Sequence, residues 1–201
     1  MKNLKIVSVG GGMNAVNHMI DSGLNGAEFI ACSRDEFFLQ MSKADKKIHL
    51  GKNMMQYGLD GSTPSRSEQA AIESREEILE TLRGADAVII VACLGGSDGT
   101  GATPIIAKYA REVGALVVAV VTLPYRFEGP RRTTRAETAL TNLSANVDSV
   151  IKIRNDNVLQ FCDPKAPITH AFKFIDEIIF HTVRTLISVF QAPFKVDKGV
   201  A

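Results

Sequence analysis

Five short apolar runs rich in valine and isoleucine, separated by segments with helical spacing, constrain this chain more than any other feature. Leu4–Val9, Glu28–Cys32, Ala87–Ala92, Leu116–Thr122 and Ser149–Ile153 are too short for buried helices and are bounded by turn residues. They read as strands buried on both faces, as in a parallel sheet. Helical patterns fill the intervals. Asn14–Ser22 ends at Gly23. Ser67–Arg83 carries acids early and stops at Gly84. Thr103–Val113 has Pro104 in its first turn and stops at Gly114, and Thr133–Ala145 follows. This βαβα succession predicts an α/β fold with a doubly wound, mainly parallel sheet, which receives ligands at the carboxyl ends of its strands.

The end of the chain differs. From Ile168, apolar residues recur at Phe172, Ile175, Ile179, Val183, Leu186 and Phe190, predicting a long helix over 166–191 with one apolar face, which the sheet can cover. After Pro193 only a short tail remains, so the expectation is a single domain over 1–201 with no second one. Lys+Arg 23 against Asp+Glu 22 leaves a net charge of +1, which argues against a nucleic-acid surface. The longest apolar stretch, Ala85–Leu94, interrupted only by Asp86, falls far short of the roughly 20 residues a membrane span needs. Cys32, Cys93 and Cys162 lack metal-type spacing and read as reduced thiols, and the N-terminus shows no secretory pattern, so a cytoplasmic protein is expected. The four histidines have no mutual spacing for a metal, and no serine sits in a nucleophile elbow; no metal or catalytic residue is assigned.

Two glycine-rich turns carry the functional signal. Gly10-Gly11-Gly12 follows the first strand, and Gly95-Gly96-Ser97-Asp98-Gly99-Thr100-Gly101 follows the third apolar run. Glycine lets a backbone approach a ligand, and the helix that follows presents free N–H groups and a positive dipole end. Gly10–Ala15 alone fits the dinucleotide fingerprint G-x-G-x-x-A, with Asp35 near the acid that binds ribose, but that leaves the second turn unexplained. Neither turn has the Gly-Lys-Ser/Thr ending of a P-loop.

The second turn with Ala102-Thr103-Pro104 resembles the signature of the FtsZ family of bacterial cell-division GTPases, relatives of tubulin. Val120–Pro124, Phe127-Glu128-Gly129, Val147-Asp148-Ser149, Asn155-Asp156, Ser42–Asp45 and Glu73–Glu77 resemble further family stretches, in unbroken order over residues 4 to 190. The resemblance implies a Rossmann-like GTP-binding domain. It would hold GTP or GDP, with Mg2+ as a companion of the phosphates, through Gly10, Gly11, Gly12, Asn14, Gly95, Gly96, Ser97, Asp98, Gly99, Thr100 and Gly101. Glu128 would bind the ribose, Arg132 the phosphates, and Asn155 and Asp176 the guanine edge, with Phe172 stacking on the base.

Four departures from the family pattern bear on mechanism. Ser97 and Asp98 replace glycine and threonine. A left-handed conformation at 97 would cost roughly 1–2 kcal/mol. Asp98 at ~5 Å from a phosphate, with an effective dielectric near 20, would cost about 3 kcal/mol per like-charge pair unless magnesium bridges the two or Asp98 points away; otherwise triphosphate affinity should fall. The first turn is one residue short. Asp60-Gly61-Ser62-Thr63-Pro64 stands where the family senses the terminal phosphate, and Ser33-Arg34-Asp35 ends the second strand. Finally, Lys195–Val200 is a degenerate form of the loop whose acids polarise the attacking water in the next subunit. The expectation is a guanine-nucleotide-binding protein linked to cell division or filament assembly, with weak or no self-activated hydrolysis. It would self-associate or meet a full-length relative. A non-enzymatic protein that caps or scaffolds such filaments is the alternative.

Overall fold

The computed structural model describes residues 1, 3–54, 63–163 and 165–192. Six strands, β1 (Leu4–Val9), β2 (Glu28–Ser33), β3 (Lys46–His49), β4 (Ala87–Cys93), β5 (Leu116–Leu123) and β6 (Ser149–Arg154), form one sheet in the order β3-β2-β1-β4-β5-β6. Every pairing is parallel. The chain winds outward from β1 to β3, returns to lay β4 beside β1, and winds outward the other way. The direction therefore reverses between β1 and β4, which in a sheet of this kind opens a crevice at the carboxyl edge.

Period-two alternation divides the strands between two cores. Val7, Val9, Val88, Ile90 and Ala92 face a layer made by α3 (Pro64–Glu73), α4 (Arg75–Leu82), α5 (Asp98–Glu112) and α6 (Pro130–Ser144). Leu4, Ile6, Ile89 and Val91 face α1 (Gly12–Asp21), α2 (Glu36–Met41), α7 (Asn155–Leu159) and α8 (Ile168–Gln191). The central strands are buried throughout, as their composition predicts. β6 is not: it is an edge strand with exposed and half-buried residues along its length, because helices cover it incompletely.

Three helices differ from their sequence patterns. The predicted Ser67–Arg83 is two helices. Thr63 caps the first, its Oγ1 accepting from the Arg66 N–H, and Pro64 occupies the first turn. The break falls at Ser74, whose buried hydroxyl accepts the Gly51 N–H at 2.9 Å and so ties the interruption to the segment after β3. Helix α5 starts at Asp98 rather than Thr103, so the second half of the glycine turn is already helical and Pro104 lies in the second turn. The last helix buries Ala171, Ile175, Ile179, Val183 and Ile187, packing on α1 as well as the sheet, whereas Phe172 stays 46% exposed. The short elements β3, α2 and α7 were not legible as periodic patterns.

Candidate functional site

The two glycine turns meet at the carboxyl edge where the winding reverses. Gly10 and Gly95 take φ of +54° and +100°, the left-handed region that favours glycine. Ser97 does not: its φ of −79° is right-handed, so its Cβ carries none of the strain considered above. A cleft of about 950 Å³ opens over these turns. Of the residues expected to bind nucleotide, Gly10, Gly11, Gly95, Gly96, Ser97, Asp98, Gly99, Glu128, Arg132 and Phe172 line it.

The others lie outside its wall. A Cβ on Gly12 would come within 2.2 Å of the Val91 carbonyl oxygen, and one on Gly101 within 1.8 Å of that of Pro64. These glycines let α1 approach β4 and α5 approach α3. Asn14 is exposed on the first turn of α1. Thr100 is buried, and its Oγ1 accepts the Gly95 N–H at 2.8 Å, closing the turn from behind. Asp60 and the 195–200 segment lie outside the described residues.

Glu128 ends a 3₁₀ turn, Arg126–Glu128, whose Tyr125 N–H donates to Glu128 Oε1 at 2.8 Å. Its other oxygen pairs with the Arg132 guanidinium one helical turn on. The expected ribose and phosphate groups therefore hold each other at the cleft wall. Asn155 heads α7, where it is 7% exposed, and its Oδ1 has no hydrogen-bond partner among the described residues. A buried polar atom left unpaired is costly, so it marks a place where a ligand donor would be welcome. Asp176 is half-buried on α8. Burial pushes its carboxyl up to about 6, opposed by nearby His18 and reinforced by Glu177. Phe172, one turn before it, meets the buried Tyr125 ring edge-on at 5.7 Å, and Tyr125 stacks on Phe127 at 4.8 Å.

Asp98 is 8% exposed at the start of α5. Its Oδ2 accepts from Ser33 Oγ at 2.9 Å and the Arg34 N–H at 3.0 Å, and its Oδ1 from Ser67 Oγ at 2.8 Å. One carboxylate thus joins the tip of β2, α3 and α5 at the floor of the cleft.

A description of the GTPase domain of the Tubulin/FtsZ family matches residues 3–163. The chain belongs to the tubulin/FtsZ family. It is 45% identical over 201 residues to the cell division protein FtsZ of Mycoplasmopsis pulmonis (strain UAB CTIP), covering 99% of this chain and 51% of that protein. An empty FtsZ dimer from M. jannaschii superposes with a TM-score of 0.87 at 36% identity, over 94% of this chain and 55% of the other. A GTPgS-bound protofilament of CetZ2 from Haloferax volcanii reaches 0.81 at 20% identity, over 96% and 60%, a likeness of fold. The chain spans about half the length of the FtsZ proteins it matches.

Within this tubulin/FtsZ fold, the cleft also uses residues that the motif reading did not assign. Ser33 ends β2 and Arg34, Asp35, Glu36, Phe37 and Phe38 follow it; Cys93 ends β4 and Leu94 follows. The rule that ligands sit beyond strand carboxyl ends points to both stretches. Arg135 joins the wall from α6, and its spacing of three from Arg132 is the signal that could have found it. Asp35, a ribose candidate under the dinucleotide fingerprint, instead caps α2, its Oδ1 accepting from the Phe37 and Phe38 N–H groups. Among the described residues no group of three or more His, Cys, Asp or Glu side chains could hold a metal. An Mg2+ ion here would be carried by phosphate oxygens and water with at most one or two of the cleft's carboxylates, the usual way Mg2+ accompanies a bound phosphate.

Proposed function

We propose that this chain is a guanine-nucleotide-binding domain that holds GTP or GDP along the carboxyl edge of its sheet. The observation that carries the reading is the cleft between the two glycine turns, with the Asn155 Oδ1, unpaired among the described residues, and the half-buried Asp176 carboxyl beyond its Phe172 end. The helix N-termini of α1 and α5 supply N–H donors and positive dipole ends for phosphate oxygens. Glu128 accepts from the ribose hydroxyls, Arg132 turns from it toward the phosphates, and Phe172 covers one face of the base. Asp176, once ionised, accepts from the N1–H and 2-amino group of guanine, a donor pair that adenine lacks.

Titration with a fluorescent GDP or GTP analogue tests this directly. Saturable binding below about 100 μM, displaced by guanine but not adenine nucleotides, is expected, and no saturation by that concentration defeats the reading. Acid release of small molecules from the purified protein gives a second readout. Guanine nucleotide agrees with it and a nicotinamide dinucleotide contradicts it.

The chain's own turnover is proposed to be weak or nil. The support is from sequence: Lys195–Val200 has lysine for the asparagine and valine for the second acid of the N-x-D-x-x-D loop, leaving Asp197 alone. Phosphate release by the purified chain at typical enzymatic rates of 1 per second or faster would refute it. Self-association through the cleft-bearing face is also proposed. The FtsZ dimer and CetZ protofilament among its structural likenesses support it, as do the exposed Phe37, Phe38 and Met41 on α2 beside the cleft. Sedimentation with and without nucleotide tests it; a monomer at all concentrations would set it aside.

A further inference from the structure

We propose that Asp98 makes this site select guanosine diphosphate over triphosphate, by holding a fixed carboxylate where a third phosphate would lie. The inference rests on the nucleotide-binding reading above and concerns the phosphate number, which that reading leaves open.

The order of strands sets the geometry. Asn155 follows β6, Glu128 follows β5, Gly95 follows β4, Gly10 follows β1 and Ser33 ends β2. Residues that suit base, ribose and phosphates therefore succeed one another along one edge. Neighbouring strands are about 4.8 Å apart, so β1 lies about 10 Å from β5 and β2 about 14 Å away. A nucleotide anchored by its base near β6 and its ribose near β5 spends its inner phosphates on the turns after β4 and β1. Only the outermost phosphate reaches the β2 end.

That end holds the Asp98 carboxylate. The Asp98 Cβ lies where a Cβ on Gly10 would be 3.0 Å away, so the acid is wedged against the first glycine turn. Its three partners, the Ser33 hydroxyl, the Arg34 N–H and the Ser67 hydroxyl, are all donors. They come from two other elements, which fixes the carboxylate in place instead of letting it swing into solvent. A third phosphate arriving here meets like charge and finds these donors already engaged. The inner phosphates are served by backbone N–H groups of the glycine turns, which Asp98 does not occupy. Of the cations at the wall, Arg132 is paired with Glu128 and Arg135 stands on the same helix, both after β5. Arg34 follows β2 and is the cation nearest in sequence to this end; its own N–H is already bonded to Asp98, and its guanidinium sets how much of the Asp98 charge a third phosphate feels.

The test is displacement of a fluorescent GDP analogue by GMP, GDP and GTP in buffer with EDTA, on the wild-type chain and on Asp98→Asn and Asp98→Thr. In the wild type, affinity should rise from GMP to GDP and fall from GDP to GTP by about tenfold or more, the sense expected for one unit of like charge at ~5 Å. Asp98→Asn should tighten GTP by about tenfold while moving GDP by less than about threefold. GTP binding to the wild type as tightly as GDP overturns the inference, whether or not a variant folds. An unchanged ratio in a variant that retains GDP binding overturns it too. Failure of all three nucleotides to bind wild type instead defeats the underlying assignment of the cleft.

Discussion

Acidification should switch off guanine recognition before it disturbs the fold, and Asp176 is where the effect would originate. Its carboxyl is pushed up to about 6 mainly by burial against α1, with Glu177 adding to the shift and His18 opposing it. Guanine needs an acceptor here, so binding draws on the ionised form alone. At pH 8 about 99% of the group is ionised, and at pH 5 about 10% is, so the apparent Kd for GDP should rise about tenfold between them. The effect on folding runs the opposite way. The folded value lies above the ordinary carboxylate value, so the native state binds the extra proton. This group's contribution to stability is fully present below about 4 and is lost as pH rises through about 6. As pH falls from 8 to 5, unfolding midpoints should therefore rise, not fall, on account of Asp176. The assay is a fluorescent-GDP titration at half-unit steps from pH 8 to 5, repeated on Asp176→Asn, which keeps His18 and Glu177 but has no titrating group at 176. The variant should bind guanine weakly and without this pH step. A wild-type profile that stays flat, or a step of equal size in Asp176→Asn, would refute the reasoning.

Other expectations follow from single contacts. Gly12→Ala places a methyl 2.2 Å from the Val91 carbonyl and forces α1 away from β4; it should lose about 3 kcal/mol in urea unfolding, and a loss under about 0.5 would contradict the packing. Ser67→Ala removes one of the three donors to buried Asp98, so stability should fall by about 1–3 kcal/mol in the same assay, while Ser65→Ala, on the exposed side of α3, should be neutral. Phe172→Ala truncates a side chain that is 46% exposed at the cleft; nucleotide affinity should drop severalfold with little change in thermal midpoint, and the reverse pattern would mean a core role. Asn155→Ala removes a buried amide whose oxygen has no partner among the described residues, so stability should barely change while preference for guanosine over adenosine nucleotides narrows in competition titrations.

Much of the fold was legible because buried parallel strands leave a strong local trace. Five strands were placed nearly to their ends, since a run such as Val88–Val91 has little choice but to be covered on both faces. The last helix was equally plain from its stripe. What failed were elements whose periodicity is short or whose reason lies elsewhere in the molecule. β3 has four residues, and α2 and α7 have six and five, too few for a pattern to repeat. The break at Ser74 depends on Gly51, which no local reading could supply.

The site divides along the same line. Residue types and order alone determined that two glycine turns follow buried strands, that the chain resembles the FtsZ family, and which side chains suit a guanosine phosphate. Only the tertiary structure decided what each glycine is for. Gly10 and Gly95 bend a turn, whereas Gly12 and Gly101 let helices touch backbone, a distinction set by atoms far away in sequence. It also decided the part played by Asp98. An acid in a phosphate turn reads from sequence as a charge beside a ligand, but its neighbours Ser33 and Ser67 lie 65 and 31 residues away. Charge belongs to the residue, but its orientation belongs to the donors that surround it, and those are assembled only when the sheet closes.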